Sequence, residues 1–179
     1  MARWIRYDDK IVHHTPIGDI RSGALHSERS GQTKTFYSFD FPDWVNIVAL
    51  TPDSQIVLIK QFRYGTAQEE LEIPGGAINP GESPVAAGCR ELREETGYVG
   101  TNAQLIGSVC PNPAIQSNLC HTVLVTDVEK TSDLELDEME DIDCLTVSEQ
   151  SLWNMIHQNQ IQHGLVLNAL FFYFNFLNR

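Results

Sequence analysis

Apolar positions fall into short β-branched runs over most of the chain and into two helical stretches near its end. Residues 44–50 are apolar and β-branched and read as a strand. Pro52-Asp53-Ser54 is a turn, and residues 56–59 form the next strand, so the two predict a hairpin. Residues 71–74 give a short strand. A helix is predicted over residues 84–96, with Ser83 as N-cap, Pro84 in its first turn and Gly97 just past its end. Val85, Cys89, Leu92 and Thr96 carry the 3, 4, 7 spacing of its buried stripe. Residues 103–109 form a strand stopped by Pro111-Asn112-Pro113, and residues 121–126 and 144–147 form two more. Ser148 caps a helix running through Trp153 and Ile156. A second helix, over residues 165–177, is apolar on several faces, which suits burial in the core or against a partner subunit. The first 43 or so residues are the least patterned. There Ile11-Val12, residues 17–20 and residues 35–39 suit short strands, and the polar segment 27–34 around Gly31 suits a hairpin loop. Together they predict a small N-terminal sheet.

The length of 179 residues fits one domain, and 42% hydrophobic residues suffice for a core. No apolar run is long enough for a membrane helix, and the N-terminus lacks a signal-peptide core. Cys89, Cys110, Cys120 and Cys144 show neither a Cys-x-x-Cys pair nor zinc spacing. They read as reduced, small buried residues of a cytoplasmic protein. The formal net charge of −12 disfavours nucleic acid and anionic membranes as partners. It would also repel a nucleotide unless bound cations screened the site, so the acidic balance and a metal requirement fit together.

The densest chemistry lies on the helix at residues 84–96. Glu91, Glu94 and Glu95 stand at i, i+3 and i+4, on a face other than the apolar stripe. Three carboxylates so close repel one another, and hard divalent cations with oxygen ligands relieve that repulsion. An acidic run of this kind is commonly a solvated face. The preceding loop argues for a site: Pro74-Gly75-Gly76 allows tight turns and close approach of a ligand, and Glu82 stands at the helix entry.

From Gly76 to Tyr98 the residues Gly76, Glu82, Arg90, Glu91, Leu92, Glu94, Glu95, Gly97 and Tyr98 resemble the Nudix box at every fixed position. Chance matching of such a pattern anywhere in the chain has odds of about one in a million. The resemblance implies an α/β/α sandwich, a mixed sheet between helices, with one Nudix domain over residues 1–179. Within it, residues 1–43 would be an N-terminal β-region, in the dimer interface in some relatives, and residues 44–179 the core. It also implies metal-dependent hydrolysis of the pyrophosphate bond in a nucleoside diphosphate linked to another group. Mg²⁺ or Mn²⁺ would be held by Glu91, Glu94 and Glu95, with the Gly75 carbonyl as a further ligand, and Arg90 would orient the glutamates.

Other segments resemble the ADP-ribose pyrophosphatases of that family. Pro113, fifteen residues after Tyr98, matches a marker of the subgroup. Arg63, in Gln61-Phe62-Arg63, resembles a substrate-contacting arginine; otherwise it is a surface arginine at a strand end. Glu72, two residues before Pro74, resembles a glutamate of the same group, with metal, substrate or a loop hydrogen bond as its role. Residues 137–142, Asp-Glu-x-Glu-Asp-Ile, resemble a loop supplying extra carboxylates, and by that match Glu138 is the catalytic base and Glu140 a metal ligand. The resemblance thus places Glu138, Glu94 and Arg90 in catalysis, and it favours ADP-ribose as substrate, AMP and ribose 5-phosphate as products, and a homodimer. The alternatives are another nucleotide sugar, a nucleoside triphosphate, or a sensor that binds ADP-ribose without cleaving it.

Overall fold

In β1 (Trp4–Thr15) nearly every residue is exposed on both faces, so no alternation of apolar and polar residues marks it in the sequence. The computed structural model describes residues 3–136 and 138–178; Met1, Ala2, Asp137 and Arg179 lie outside it. The chain divides into two compact units, Met1–Asp43 with Cys110–Leu119, and Trp44–Val109 with Cys120–Arg179.

In the first unit β1 pairs with β2 (Gly18–Ser27), which pairs with β3 (Gln32–Asp40), all antiparallel. The expected N-terminal sheet is there, with longer strands than the apolar runs suggest. Residues 32–34, expected in a loop, belong to β3, and the turn closes in four residues, 28–31, with Gly31 at a φ of 66°. Irregularities between Tyr7 and Lys10 and between Ile11 and His13 interrupt β1. Residues 110–119 are tied to β3: the Phe39 N–H donates to the Ile115 carbonyl at 2.7 Å, and the Ser117 hydroxyl donates to Asp40 at 2.9 Å.

The second unit runs β4 (Trp44–Leu50), β5 (Ile56–Arg63), β6 (Gln68–Glu72), β7 (Gly75–Ala77), α1 (Pro84–Thr96), β8 (Tyr98–Val99), β9 (Asn102–Val109), β10 (Cys120–Thr126), β11 (Glu129–Lys130), β12 (Ile142–Val147), α2 (Glu149–His157) and α3 (Gly164–Leu177). Its main sheet is ordered β12-β5-β4-β10-β9, and β10 runs parallel to β4 while the other pairs are antiparallel. The predicted β4–β5 hairpin pairs only at Leu50 and Ile56. Beyond that point the strands part. β6 pairs with β5 and β7 with β4, and the Ile47 N–H donates to the Pro74 carbonyl at 2.8 Å. The parting of β4 and β5 thereby seats Glu72 to Ala77 within the sheet. The small pair β8–β11 was not expected from the sequence.

Alternation along the central strands builds two apolar layers. Val45, Ile47, Ala49, Val57, Val123 and Val125 pack with Ala87 and Leu92 of α1. Val48, Ile56, Leu58 and Leu124 pack on the other face with Leu152 of α2 and Val166, Ala169, Leu170 and Tyr173 of α3. The result is the expected α/β/α sandwich. Each fully buried Leu or Ile contributes about 1.5–3 kcal/mol. The buried stripe of α1 is turned from its predicted position: Ala87, Gly88, Leu92, Glu95 and Thr96 are buried, and Cys89 only partly. A Cβ at Gly88 would stand 3.3 Å from both Ile47 and Val123, so glycine lets the helix settle close on the sheet and sets that rotation. Glu95 goes in with the stripe.

Candidate functional site

Local chemistry sets α1 firmly. The Ser83 hydroxyl accepts from the Ala86 N–H at 3.2 Å, and Gly97 adopts a φ of 73° while its N–H donates to the Arg93 carbonyl at 2.8 Å. Over this fixed frame Arg90 binds the acidic side chains together. Its Nε and Nη2 grip the two oxygens of Glu82 at 3.1 and 3.0 Å. Its Nη1 reaches Glu91 at 2.8 Å and Glu94 at 3.1 Å, and Nη2 also donates to the Ala77 carbonyl at 3.1 Å. Glu82 is held below the usual carboxylate range by Arg90, and the Arg90 guanidinium is pushed up, first by Glu82.

The three helix glutamates differ. Glu95 is 4% exposed and accepts from the Gly75 N–H at 2.9 Å. Burial pushes its carboxyl up to about 8, with Glu91 and Glu140 adding to the shift and the Gly75 N–H opposing it. Burial also raises Glu91, against the pull of Arg90. A Cβ at Gly76 would fall on the Glu91 carboxylate, so glycine there leaves that side chain its place. Glu94 lies between two guanidinium groups, Arg90 at 3.1 Å and Arg93 at 3.3 Å.

Arg63 and Glu72, both candidates for the substrate from sequence, are brought to one another. Both guanidinium–carboxylate hydrogen bonds are 2.7 Å, and Glu72 is 2% exposed. The hydrogen bonds of Glu72 thus join the ends of β5 and β6, while Arg63 keeps a part-exposed face. Glu140, exposed on its loop, stands within electrostatic reach of Glu91, Glu95 and Arg63. Glu138 is exposed in a turn beside Met139, itself 94% exposed, and Asp137 lies outside the described residues.

Among the described residues, no three Asp, Glu, His or Cys side chains stand together closely enough to hold a metal ion. Arg90 and Arg93 engage Glu91 and Glu94, and Glu95 is turned to Gly75. The donor set still fits a hard divalent cation. It consists of carboxylate oxygens, two of which resist ionisation because they are buried without enough positive charge.

Sequence reasoning missed two features. One is the burial of Glu95, which follows from Gly88. The other is a cavity of about 540 Å³ in the N-terminal unit, lined by Arg6, Asp9, Arg21, Phe36, Tyr37 and Gln116 among others. Its aromatic and charged residues sit on exposed strands whose pattern gives no signal. Of the described residues, no helix is long and apolar enough to cross a membrane.

Residues 40–165 match the NUDIX domain. The ADP-sugar pyrophosphatase of Mus musculus is 34% identical over 126 residues, 70% of this chain and 56% of that protein. The ADP-ribose pyrophosphatase of Bacillus subtilis (strain 168) is 28% identical over 130 residues, 72% of this chain and 70% of its own. A solved structure described as an ADP compounds hydrolase superposes with a TM-score of 0.86 over 98% of this chain and 95% of that one, at 23% identity; it shows the fold.

Proposed function

The chain belongs to the NUDIX family, and from that premise we propose that it hydrolyses the pyrophosphate bond of ADP-ribose, giving AMP and ribose 5-phosphate. The observation that carries the reading is the Arg90-centred glutamate cluster beside Gly75 and Gly76. The names of the mouse and Bacillus subtilis relatives support the substrate. Pro113 and the Glu138–Glu140 segment favour it over a triphosphate.

Glu91, Glu94 and Glu95, joined by Glu140 and the Gly75 carbonyl, would hold Mg²⁺ (or Mn²⁺). When bound, the ion neutralises the diphosphate and lowers the pKa of a water. Arg90 keeps Glu91 and Glu94 aimed, and would give up part of its contact with them where they held the ion. Arg63, steadied by Glu72, presents its open edge to a phosphate. Glu138 takes the water's proton, a role worth about 10²–10⁴ in rate. Its exposed position fits a group that reaches the reaction only when substrate closes the loop. We place the reaction in a homodimer in the cytoplasm.

A panel of ADP-ribose, other nucleotide sugars, dGTP and ATP, assayed with Mg²⁺ and with products identified, tests the reading. The highest kcat/KM is expected for ADP-ribose, with AMP released. Preference for a triphosphate sinks it, and tight binding without cleavage points to a sensor.

A further inference from the structure

We propose that Arg93 is a positioning residue, a latch that pins the carboxylate-bearing loop after β11 to the glutamate helix and so sets how far Glu138 can reach. The proposal rests on the roles given above to Glu138 and Glu140. Arg93 occupies a position between Leu92 and Glu94 that none of the box's fixed residues fills. Its Nη1 donates to Glu135 at 2.5 Å, and its Nη2 donates to Glu94 at 3.3 Å. One guanidinium thus joins a helix carboxylate to the loop.

The backbone supports the same attachment. The Glu135 N–H donates to the Glu94 carbonyl at 2.8 Å, one of the carbonyls that a helix end leaves without an internal partner. The Thr131 and Ser132 N–H groups donate to the Gly97 carbonyl at 2.9 and 3.4 Å. Leu134 and Leu136 are half-buried on either side of exposed Glu135. The loop therefore lies along the last turn of α1 from residue 131 to residue 135 and leaves it there. An extended chain spans at most about 3.3–3.6 Å per residue, so Glu138, three residues on, stays within roughly 10 Å of the attachment. Glu140, five residues on, is within electrostatic reach of Glu91 and Glu95. The attachment point fixes the arc between them.

An exposed ion pair by itself contributes little. Arg93 acts at the downstream end of the attachment, whereas the Gly97 carbonyl holds the upstream end. Its loss frees one end and leaves the other, which general destabilisation does not do. The test is amide hydrogen exchange by NMR on the full-length protein without metal. In Arg93→Ala the Glu135 amide is expected to exchange about two- to fivefold faster while the Thr131 amide is unchanged. Glu135→Gln should give a similar shift, the double variant little more, and Arg93→Lys a partial return. With ADP-ribose and Mg²⁺, both Arg93→Ala and Glu135→Gln should lower kcat about three- to tenfold with KM held, and Glu135→Gln, which leaves the Arg93–Glu94 contact in place, should also keep the half-saturating Mg²⁺ concentration. Equal acceleration at Thr131 and Glu135, additive single variants, or an unchanged kcat overturns the latch. Failure of the underlying reading looks different: the wild-type protein then shows no Mg²⁺-dependent cleavage at all.

Discussion

Arg63 on β5 grips Glu72 on β6 through two parallel hydrogen bonds, Nε to Oε1 and Nη2 to Oε2, each 2.7 Å. Glu72 is buried and Arg63 is part-exposed, so the pair is a buried carboxylate held by a cation that faces outward. Removing the cation strands a charge inside. Arg63→Ala is expected to destabilise the protein by about 1–3 kcal/mol, less than a fully buried pair would cost. In a chain of this size that lowers Tm by roughly 3–10 °C. Adding Glu72→Gln should recover part of the loss. The KM for ADP-ribose should rise in both variants. Calorimetry and initial rates check this; an Arg63→Ala protein with wild-type KM leaves the arginine only its structural part.

Glu95 gives a pH test. Its folded-state carboxyl titrates at about 8, above the ordinary 4.5, because burial penalises the charge. The folded state therefore holds this proton more tightly than the unfolded state. The stability it gives is complete below about pH 4.5 and is lost as pH rises through 8. Glu95→Gln keeps an acceptor for the Gly75 N–H and carries no charge. Without metal it should match the wild type near pH 4 and exceed it above pH 8 by on the order of 1–3 kcal/mol in urea unfolding. Mg²⁺ should stabilise the wild type and not the variant. In turnover, Glu95→Gln and Glu94→Gln should each lose at least about a hundredfold. Near wild-type rates at saturating Mg²⁺ in either would disprove the metal assignment.

Glu138 and Glu140 should fail in different ways. Glu138 and Glu140 are both exposed, and the charge of Glu140 bears on Glu91 and Glu95. Glu138→Gln should lower kcat with the metal requirement held. Glu140→Gln should raise the Mg²⁺ concentration for half activity, with partial rescue by excess metal. Metal titrations of the two variants decide it, and identical curves would remove the division of roles.

The dimer is checked by light scattering. Trp4, Phe36 and Tyr37 in the N-terminal sheet, Ile17 in its β1–β2 turn and Phe171 in α3 are exposed, and such side chains favour cover by a partner. A mass near 40 kDa, twice the 20.2 kDa of one chain, is expected at micromolar concentration. A 20.2 kDa particle contradicts it.

Where the pattern was strong, the sequence was readable. Ser83, Pro84 and Gly97 delimit α1 as they stand, because caps act through local backbone geometry. Ser148 does the same for α2, where it accepts from the Ser151 N–H at 3.2 Å. The strands of the sandwich core were legible because both their faces are buried. The N-terminal strands were legible only in part, since exposed faces leave no apolar period. The single-pair contact of β4 with β5 had no local signal: strand partners are chosen by the whole sheet, and here β6 takes the edge of β5 and β7 the edge of β4 that a longer hairpin would use. The residue types of the site were readable, but their mutual geometry was not. That Arg63 meets Glu72, or that Arg93 reaches Glu135, depends on segments 9 and 42 residues apart.

Gly76 and Gly97 will look alike in any inventory of intolerant positions, yet for opposite reasons. At Gly76 a methyl group meets the tip of the Glu91 side chain, which can swing aside; the molecule then survives with its cluster misaimed. At Gly97 a methyl group meets the Ser132 backbone carbonyl, at a φ of 73° that L-residues resist, and nothing nearby can yield. One glycine guards an aim and the other a shape. Two members of a single signature thus answer to different demands, one of chemistry and the other of folding.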